Sequence, residues 1–418
     1  MDLAKAKLLD GPTMLGNNRS GSLACLSVRF ALEFNMDGTA GDIVCTQVER
    51  HMRLCHTVTA GKDTLITLAG SEPLLAEAAY EFMKATQSNP VRHLARHSDL
   101  NCVDRGCRGE LVAALLVMRA CDAAWATVSD HRWVPVDVFM QELLPDSKSG
   151  FLNSFPTCYR ENEMTNFAAT FEDYGIWFNH VIKVEETNMI SADHLWKFIT
   201  RGAMILYSSN QGVDIVIPIC HKTKALSRHT VTAILVQVKN AERYQLNIDK
   251  LLFDGMDPIK LGLFPDPEVA PEQKVIPKPV IHMVFALASR EAGVNFPEER
   301  GREHHHPDKF TSFDVWCAGL GKETFKHIDD DLASYRLLLE RSFRPHDAFK
   351  LQGEGEGDDE TRCLRGSLRR RMAPLTTTED ISHHAIHLRK SNVESAARFF
   401  ASNCHAHLAE VVDLDVFL

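Results

Sequence analysis

Two stretches of the chain carry polar residues at spacings that could do chemistry. Asp214 opens the apolar run Ile215-Val216-Ile217-Pro218, and Gln237 and Lys239 close the β-branched run from Thr230 to Lys239. Side chains two apart on a strand point to one face, so Gln237 and Lys239 project together with Val231, Ala233 and Leu235. If the two runs are neighbouring strands in register, Asp214 faces the same side. A carboxylate, an amide oxygen and an ammonium then meet at one sheet edge. Phosphodiester hydrolysis uses such a set. Oxygen ligands hold Mg²⁺ or Mn²⁺. The ion neutralises phosphate charge and activates water, and a lysine orients that water or stabilises the transition state. Glu110, at the start of an otherwise apolar helix, could add a ligand, as could the main-chain carbonyl of Val238.

Each residue also has a plainer reading. A Gln-x-Lys at a strand end is common. Asp214, two residues after Gly212, could simply end a turn, and Glu110 could serve only the helix dipole. Lys222, Lys224, Arg228 and Arg243 lie around the two runs and could grip phosphates, though a solvated loop is also rich in Lys and Arg. The Arg362–Arg371 cluster is either a nucleic-acid contact, a nuclear-import patch or a solvated face. His304-His305-His306, and His383 with His387, invite a zinc reading but lack the paired Cys or His spacing of tetrahedral sites. Cys55 sits between His51 and His56, with no identifiable orienting partner for a thiol nucleophile. Neither H-E-x-x-H nor G-x-S-x-G occurs, so zinc proteases and α/β-hydrolases have no support.

The elements that must position these residues are legible in outline. Leu74 to Thr86 reads as a helix with Ser71 as N-cap. Asp104 could cap a helix over about 105–125, whose Leu111–Met118 stretch is apolar on every side and must be buried. Tyr174–Val184 alternates as a strand, and Ser191 opens a helix to about Arg201. Ala203–Tyr207 and Val213–Cys220 read as strands joined by a tight connection, followed by strands over Thr230–Lys239 and Val280–Leu287. A Pro-rich loop, 265–279, precedes the last of these. Helices are expected over about 322–342 and 391–408, flanking the apolar-free loop 352–360.

The 418 residues suggest two or three domains. Apolar residues are 44% and charged residues 24% of the chain, which rules out wholesale disorder. The net charge of −10 disfavours a protein that coats nucleic acid indiscriminately, while leaving room for a local basic groove. The longest apolar run, Leu111–Met118, is far short of the ~20 residues that span a bilayer. The N-terminus has no basic start followed by an apolar core. These features, with few Cys and no C-x-x-C, lead to the expectation of an intracellular protein, nuclear or cytoplasmic, with reduced thiols and no membrane partner.

The Asp214-Ile215-Val216-Ile217-Pro218 and Ile234-Leu235-Val236-Gln237-Val238-Lys239 segments together resemble the Asp…(Glu/Gln)-x-Lys signature of PD-(D/E)XK, restriction-endonuclease-like nucleases. The stretches Arg105–Val112, Pro279–Leu287 and Phe313–Gly319 are similar to fungal proteins resembling the nuclease modules of Crinkler-type, transposon-derived effectors. The resemblance runs from about 70 to 400. It implies an α/β fold with a mixed central sheet flanked by helices and helical additions at both termini. It also implies a division into an N-terminal linker or helical remnant (1–100), a nuclease-like domain (101–300) and a mostly helical C-terminal extension (301–418). By the same resemblance Asp214 is the metal carboxylate, Gln237 takes the usual Glu position, Lys239 is the catalytic lysine and Glu110 the helical carboxylate. Mg²⁺ or Mn²⁺ is the implied cofactor and nucleic acid, DNA before RNA, the implied partner. Two departures stand out. Gln237 removes one negative charge from the metal site. The NTPase that precedes such modules in relatives is missing its signature here, since Gly61-Lys62-Asp63 lacks both the leading Gly and the Ser or Thr of a phosphate loop. The rival expectation is a catalytically inactive module of the same fold that binds nucleic acid or a protein.

Overall fold

The computed structural model describes residues 1–11, 19–32, 34, 40–58, 65–97, 108–128, 132–158, 165–184, 190–207, 212–264, 278–297 and 310–347. In chain order, helices α1 (Asp2–Leu9), α2 (Arg19–Phe30) and α3 (Ala40–Arg50) lead into a hairpin of β1 (Arg53–Val58) and β2 (Leu65–Ala69). Helices α4 (Pro73–Ala85), α5 (Pro90–His97) and α6 (Arg108–Thr127) follow. Next come β3 (Val134–Pro135), α7 (Val136–Leu143), α8 (Phe167–Phe171), β4 (Tyr174–Ile176), β5 (His180–Val184), α9 (Ala192–Thr200), β6 (Ala203–Tyr207), β7 (Ile215–His221) and β8 (Val231–Lys239). The last elements are α10 (Lys250–Asp254), β9 (Lys278–Ala286), β10 (Gly293–Asn295), β11 (Phe310–Ala318) and α11 (Leu332–Asp347).

Strands β3 to β11 make one nine-stranded mixed sheet in the order β10-β11-β9-β8-β7-β4-β3, with β6 also on β7 and β5 beyond β6. The chain is thus a mixed α/β protein. Strands β8, β9 and β11 run parallel, and β7 is antiparallel to β8. The free edge of β7 is divided. Its first residues pair with β6 and its last with β4.

Alternation along the central strands sorts their side chains into two cores. Ile215, Ile217, Ile219, Ile234, Val236, Ile281, Met283 and Phe285 face one layer, where α6 packs. The whole Leu111–Met118 stretch of α6 is buried there, as its all-round apolarity requires. Val216, Cys220, Val231, Ala233, Leu235, Val280, Val284 and Trp316 face the other layer, covered by α9 and α10. No helix among the described residues is long and apolar enough to cross a membrane.

Several expectations change. Strand β11, paired along its full length with β9, lies inside the sheet, so residue 300 is no boundary between a domain and an extension. Residues 1–100, expected as a linker or helical remnant, contribute Leu8, Leu23, Leu26, Ala76 and Leu94 to the apolar cluster around α6. Residues Met1–Glu356 cluster as one compact unit. A polar seam fixes the N-terminal helices to the sheet: buried Arg29 pairs with Asp122 at 2.8 Å and donates to the Asn179 carbonyl at 3.0 Å. Tyr174–Val184 is two strands, broken at Trp177-Phe178-Asn179. The helix expected from about 322 starts only at Leu332. Ser71 does not cap α4, which follows Glu72 and has Pro73 in its first turn. Asp104, the 265–277 part of the Pro-rich loop, the 352–360 loop, the 391–408 helix and the Arg362–Arg371 cluster lie outside the described residues.

Candidate active site

Asp214 immediately precedes β7, and Gln237 and Lys239 end β8. Register partners Val216 and Leu235 share one core, and Ile215 and Val236 share the other. Two steps from Val216 reach Asp214, and two and four steps from Leu235 reach Gln237 and Lys239. All three therefore belong to the α9–α10 face, at the end of the sheet where β8 finishes.

The Asp214 main chain is anchored on both sides. Its N–H donates to the Val236 carbonyl at 2.9 Å and its carbonyl accepts from Tyr207 N–H at 2.7 Å. Its side chain bends back toward the strand, where Oδ2 accepts the Val238 N–H at 2.6 Å. Burial pushes this carboxyl up to about 6, opposed by the Val238 hydrogen bond and the Lys239 ammonium. An extended residue's N–H and C=O point to the same edge of its strand, so the Val238 carbonyl faces the Asp214 side too. Gln237 is buried at 3% exposure. Lys239 Nζ lies 5.8 Å from the centre of the Tyr244 ring. Arg243 packs on the same ring at 4.9 Å and donates to its hydroxyl at 3.0 Å.

Glu110 comes from the other layer. A Cβ at Gly109 would overlap the side-chain amide of Asn240, the residue after Lys239. The absence of a side chain at 109 is what allows the first turn of α6 to close on the end of β8. Asn240 Oδ1 is buried and accepts no hydrogen bond among the described residues. Sequence reasoning missed Asn240, and a Gly directly before the helical Glu was the available signal. On the opposite face, a Cβ at Gly212 would overlap the carbonyl oxygen of Gly255, so α10 closes against the segment leading into Asp214.

The oxygen donors at this end suit a hard divalent cation in kind. They are the Asp214 carboxylate, the Val238 carbonyl, the Gln237 amide and the orphaned Asn240 Oδ1, which a cation or its bound water would satisfy. The formal charge is low, and among the described residues no three His, Cys, Asp or Glu side chains gather.

Other expected residues fall elsewhere. Lys222, Lys224 and Arg228 occupy the connection from β7 to β8, at the opposite end of the sheet. At about 3.3 Å per residue along β8 they are roughly 25 Å from Lys239. Arg243 alone of the four cations lies near Lys239. His51 approaches the Leu8 carbonyl at 2.8 Å and Ser20 Oγ at 2.7 Å. His304–His306, His383 and His387 lie outside the described residues.

A second polar constellation has the outward form of a hydrolase relay. Ser71 Oγ lies 2.9 Å from His180 Nε2, and His180 Nδ1 lies 2.9 Å from Asn179 Oδ1. Asn179 Nδ2 donates to Glu77 at 2.8 Å, which turns its oxygen toward the ring. The electrostatics oppose catalysis. Burial, then Arg201 and Arg29, push His180 down to about 4. An imidazolium formed by accepting the Ser71 proton would sit beside two guanidinium groups and be disfavoured. This relay ties α4 to β5.

A family model described as Domain of unknown function (DUF8736) matches residues 16–253, more than half of the chain. The chain belongs to the DUF8736 family. The matched residues run from just before α2 to α10 and include Glu110, Asp214, Gln237, Lys239 and Asn240, while β9, β10 and β11 lie beyond them. No curated protein and no solved structure matches the chain.

Proposed function

We propose that the chain is a metal-dependent nuclease with a PD-(D/E)XK-type site on a restriction-endonuclease-like sheet, hydrolysing phosphodiester bonds in DNA in preference to RNA. The observation that carries the reading is the register that sets Asp214 and Lys239 on one face at one sheet end, with the Asp214 carboxylate bonded to the N–H of Val238, the residue before Lys239. Kinship with Crinkler-type, transposon-derived modules is part of the same proposal.

Asp214, the Val238 carbonyl and Gln237, with Glu110 and Asn240 from the α6 side, would hold Mg²⁺ or Mn²⁺. When bound, the ion supplies charge neutralisation at the phosphate and an activated water. Lys239 orients the attacking water and stabilises the negative charge that develops on phosphorus oxygens. The Val238 N–H fixes one oxygen of Asp214, and the other would be the one offered to the ion. Arg243, held on Tyr244, offers a guanidinium to a neighbouring phosphate.

A second reading has its own support. Gln237 is neutral, and Asp214 already has an N–H donor and a carboxyl raised to about 6. Those features suit a non-catalytic module that binds nucleic acid or a protein. The test is cleavage of double- and single-stranded DNA and RNA with Mg²⁺, Mn²⁺ or EDTA. EDTA-sensitive cleavage supports the nuclease. No cleavage of any substrate, with no heat of Mn²⁺ binding at millimolar metal, leaves the module reading.

A further inference from the structure

The basic residues that lie far from Lys239 need an account of their own. The β7–β8 connection carries Lys222, Lys224 and Arg228, flanked by His221 and His229. Because β8 and β9 are parallel, Lys278 begins its strand at this same end. Lys224 and Arg228 are exposed. Lys278 is half-buried. Among the described residues its ammonium donates only to main-chain carbonyls, of Arg228 at 3.1 Å and Val231 at 3.4 Å.

Counter-charge among the described residues is thin here. Asp193 is 3.8 Å from Arg228, and Asp173 is 3.9 Å from His221. Both are at the outer limit of pairing, and the Arg228–Asp193 pair, exposed on both sides, contributes little. Burial alone lowers Lys278 to about 8; the crowding of cations shows at His221. Burial, then Lys224, and also Lys222 lower His221, against Asp173 alone. On a chain of net charge −10, cations that outnumber the acids beside them among the described residues form a local field that attracts an anion.

We propose that the β7–β8 connection, with Lys222, Lys224, Arg228 and Lys278, is a phosphate-gripping surface for nucleic acid, separate from the Asp214–Lys239 end. The class of partner rests on the nucleic-acid reading above, and the surface itself needs no catalysis. Aromatic groups favour a nucleic acid over an acidic peptide. The rings of Tyr174 and His221 lie 5.2 Å apart beside the cations, and Lys222 packs over Gly175 next to the Cβ of Trp133, Tyr174 and Trp133 each being partly buried against an apolar core. Cations interleaved with aromatic rings are the usual makings of a strand-binding surface. The separation of roughly 25 Å along β8 means that this grip adds affinity without touching the reacting phosphate.

The experiment is fluorescence anisotropy of labelled single- and double-stranded DNA with the full chain in EDTA, across a range of salt. The variants are Lys222→Glu/Lys224→Glu/Arg228→Glu, and the milder Lys224→Gln/Arg228→Gln, whose two sites are exposed and whose folding is checked by circular dichroism. The triple variant is expected to bind at least tenfold more weakly at low salt. Its slope of log K against log salt should be shallower by about 2 to 3, since each phosphate that a cation no longer neutralises removes about 0.9. The double variant should show a smaller change in the same direction. Unchanged affinity and slope in a folded variant overturn the proposal. So does wild-type protein that binds polyglutamate as tightly as DNA, or binds no DNA at all. Weakened binding in the triple variant of a protein that never cleaves upholds the surface and removes the nuclease. Cleavage by wild type with unaltered binding in the variants does the reverse.

Discussion

The main-chain N–H of Val238 donates to Oδ2 of Asp214 at 2.6 Å. This bond ties the start of β7 to the end of β8 and holds a carboxyl in a site that burial makes unfavourable for its charge. The Val238 N–H and the Lys239 ammonium both favour the charged form against that burial. Groups held against their preferred protonation state are frequent at functional sites.

The stability consequence has a definite sign. Asp214 is raised from 3.8 to about 6 in the folded chain, so its contribution is intact below about pH 4 and is lost as pH rises through 6. Asp214→Asn keeps an acceptor for Val238 and removes the charge. It should therefore be more stable than wild type at pH 7.5 by about 3 kcal/mol, with the gap closing near pH 4. Urea unfolding at the two pH values measures this. A variant less stable at pH 7.5 would mean that the charge stabilises the fold.

The packing of α6 on the end of β8 predicts a coupled pair. Gly109→Ala should destabilise by about 1–3 kcal/mol, the range for forced overpacking. Asn240→Ala should restore much of that stability, because the Asn240 amide occupies the space. A double-mutant cycle by denaturant titration reads the coupling. Strict additivity would show that α6 does not seat on Asn240.

The buried His180 predicts acid sensitivity in the N-terminal layer. Its value falls from 6.5 to about 4, so its contribution is full above 6.5 and is lost as pH falls through 4. The shift corresponds to roughly 3 kcal/mol. Protection factors in α4, taken against the intrinsic exchange rate at each pH, should fall between pH 6 and 4 in wild type and change less in His180→Gln. An equal fall in both would assign the acid response to other groups.

Buried Asp331 accepts from Asn89 at 2.6 Å and pairs with Arg92 at 2.7 Å and with Arg119. Removing it takes the carboxylate from two guanidinium groups that water still reaches, Arg92 keeping the Asp330 carbonyl. Asp331→Ala should cost about 2 kcal/mol, the scale of a lost hydrogen bond to a charged group, and loosen α11 first, as seen in exchange protection. A cost under about 1 kcal/mol would show that the cluster is dispensable.

The central strands were legible because β-branched runs such as Thr230–Lys239 leave few alternatives, and strict alternation placed Gln237 and Lys239 on one face. What was misplaced followed from reading proximity along the chain. Lys222 to Arg228 lie between the Asp214 and Lys239 strands in sequence, yet an antiparallel hairpin sends its connection to the far end of the sheet. The N-terminal helices gave no core pattern, since α2 buries Ser27 and Arg29 along with its apolar residues. The partners of Arg29, Asp122 and Asn179, lie far along the chain. Strand β11 carries Ser312 and Asp314 into the core, the latter accepting from His282 at 3.0 Å, and these polar residues mask its extended pattern.

The most direct measurement is cleavage of circular DNA with Mn²⁺ by wild type, Asp214→Asn, Lys239→Ala and the double variant, each confirmed folded by circular dichroism. One site acting as a unit predicts wild-type cleavage abolished by EDTA, both single variants reduced by at least a hundredfold, and a double variant no worse than either. Undiminished cleavage by folded Lys239→Ala or Asp214→Asn would contradict the account.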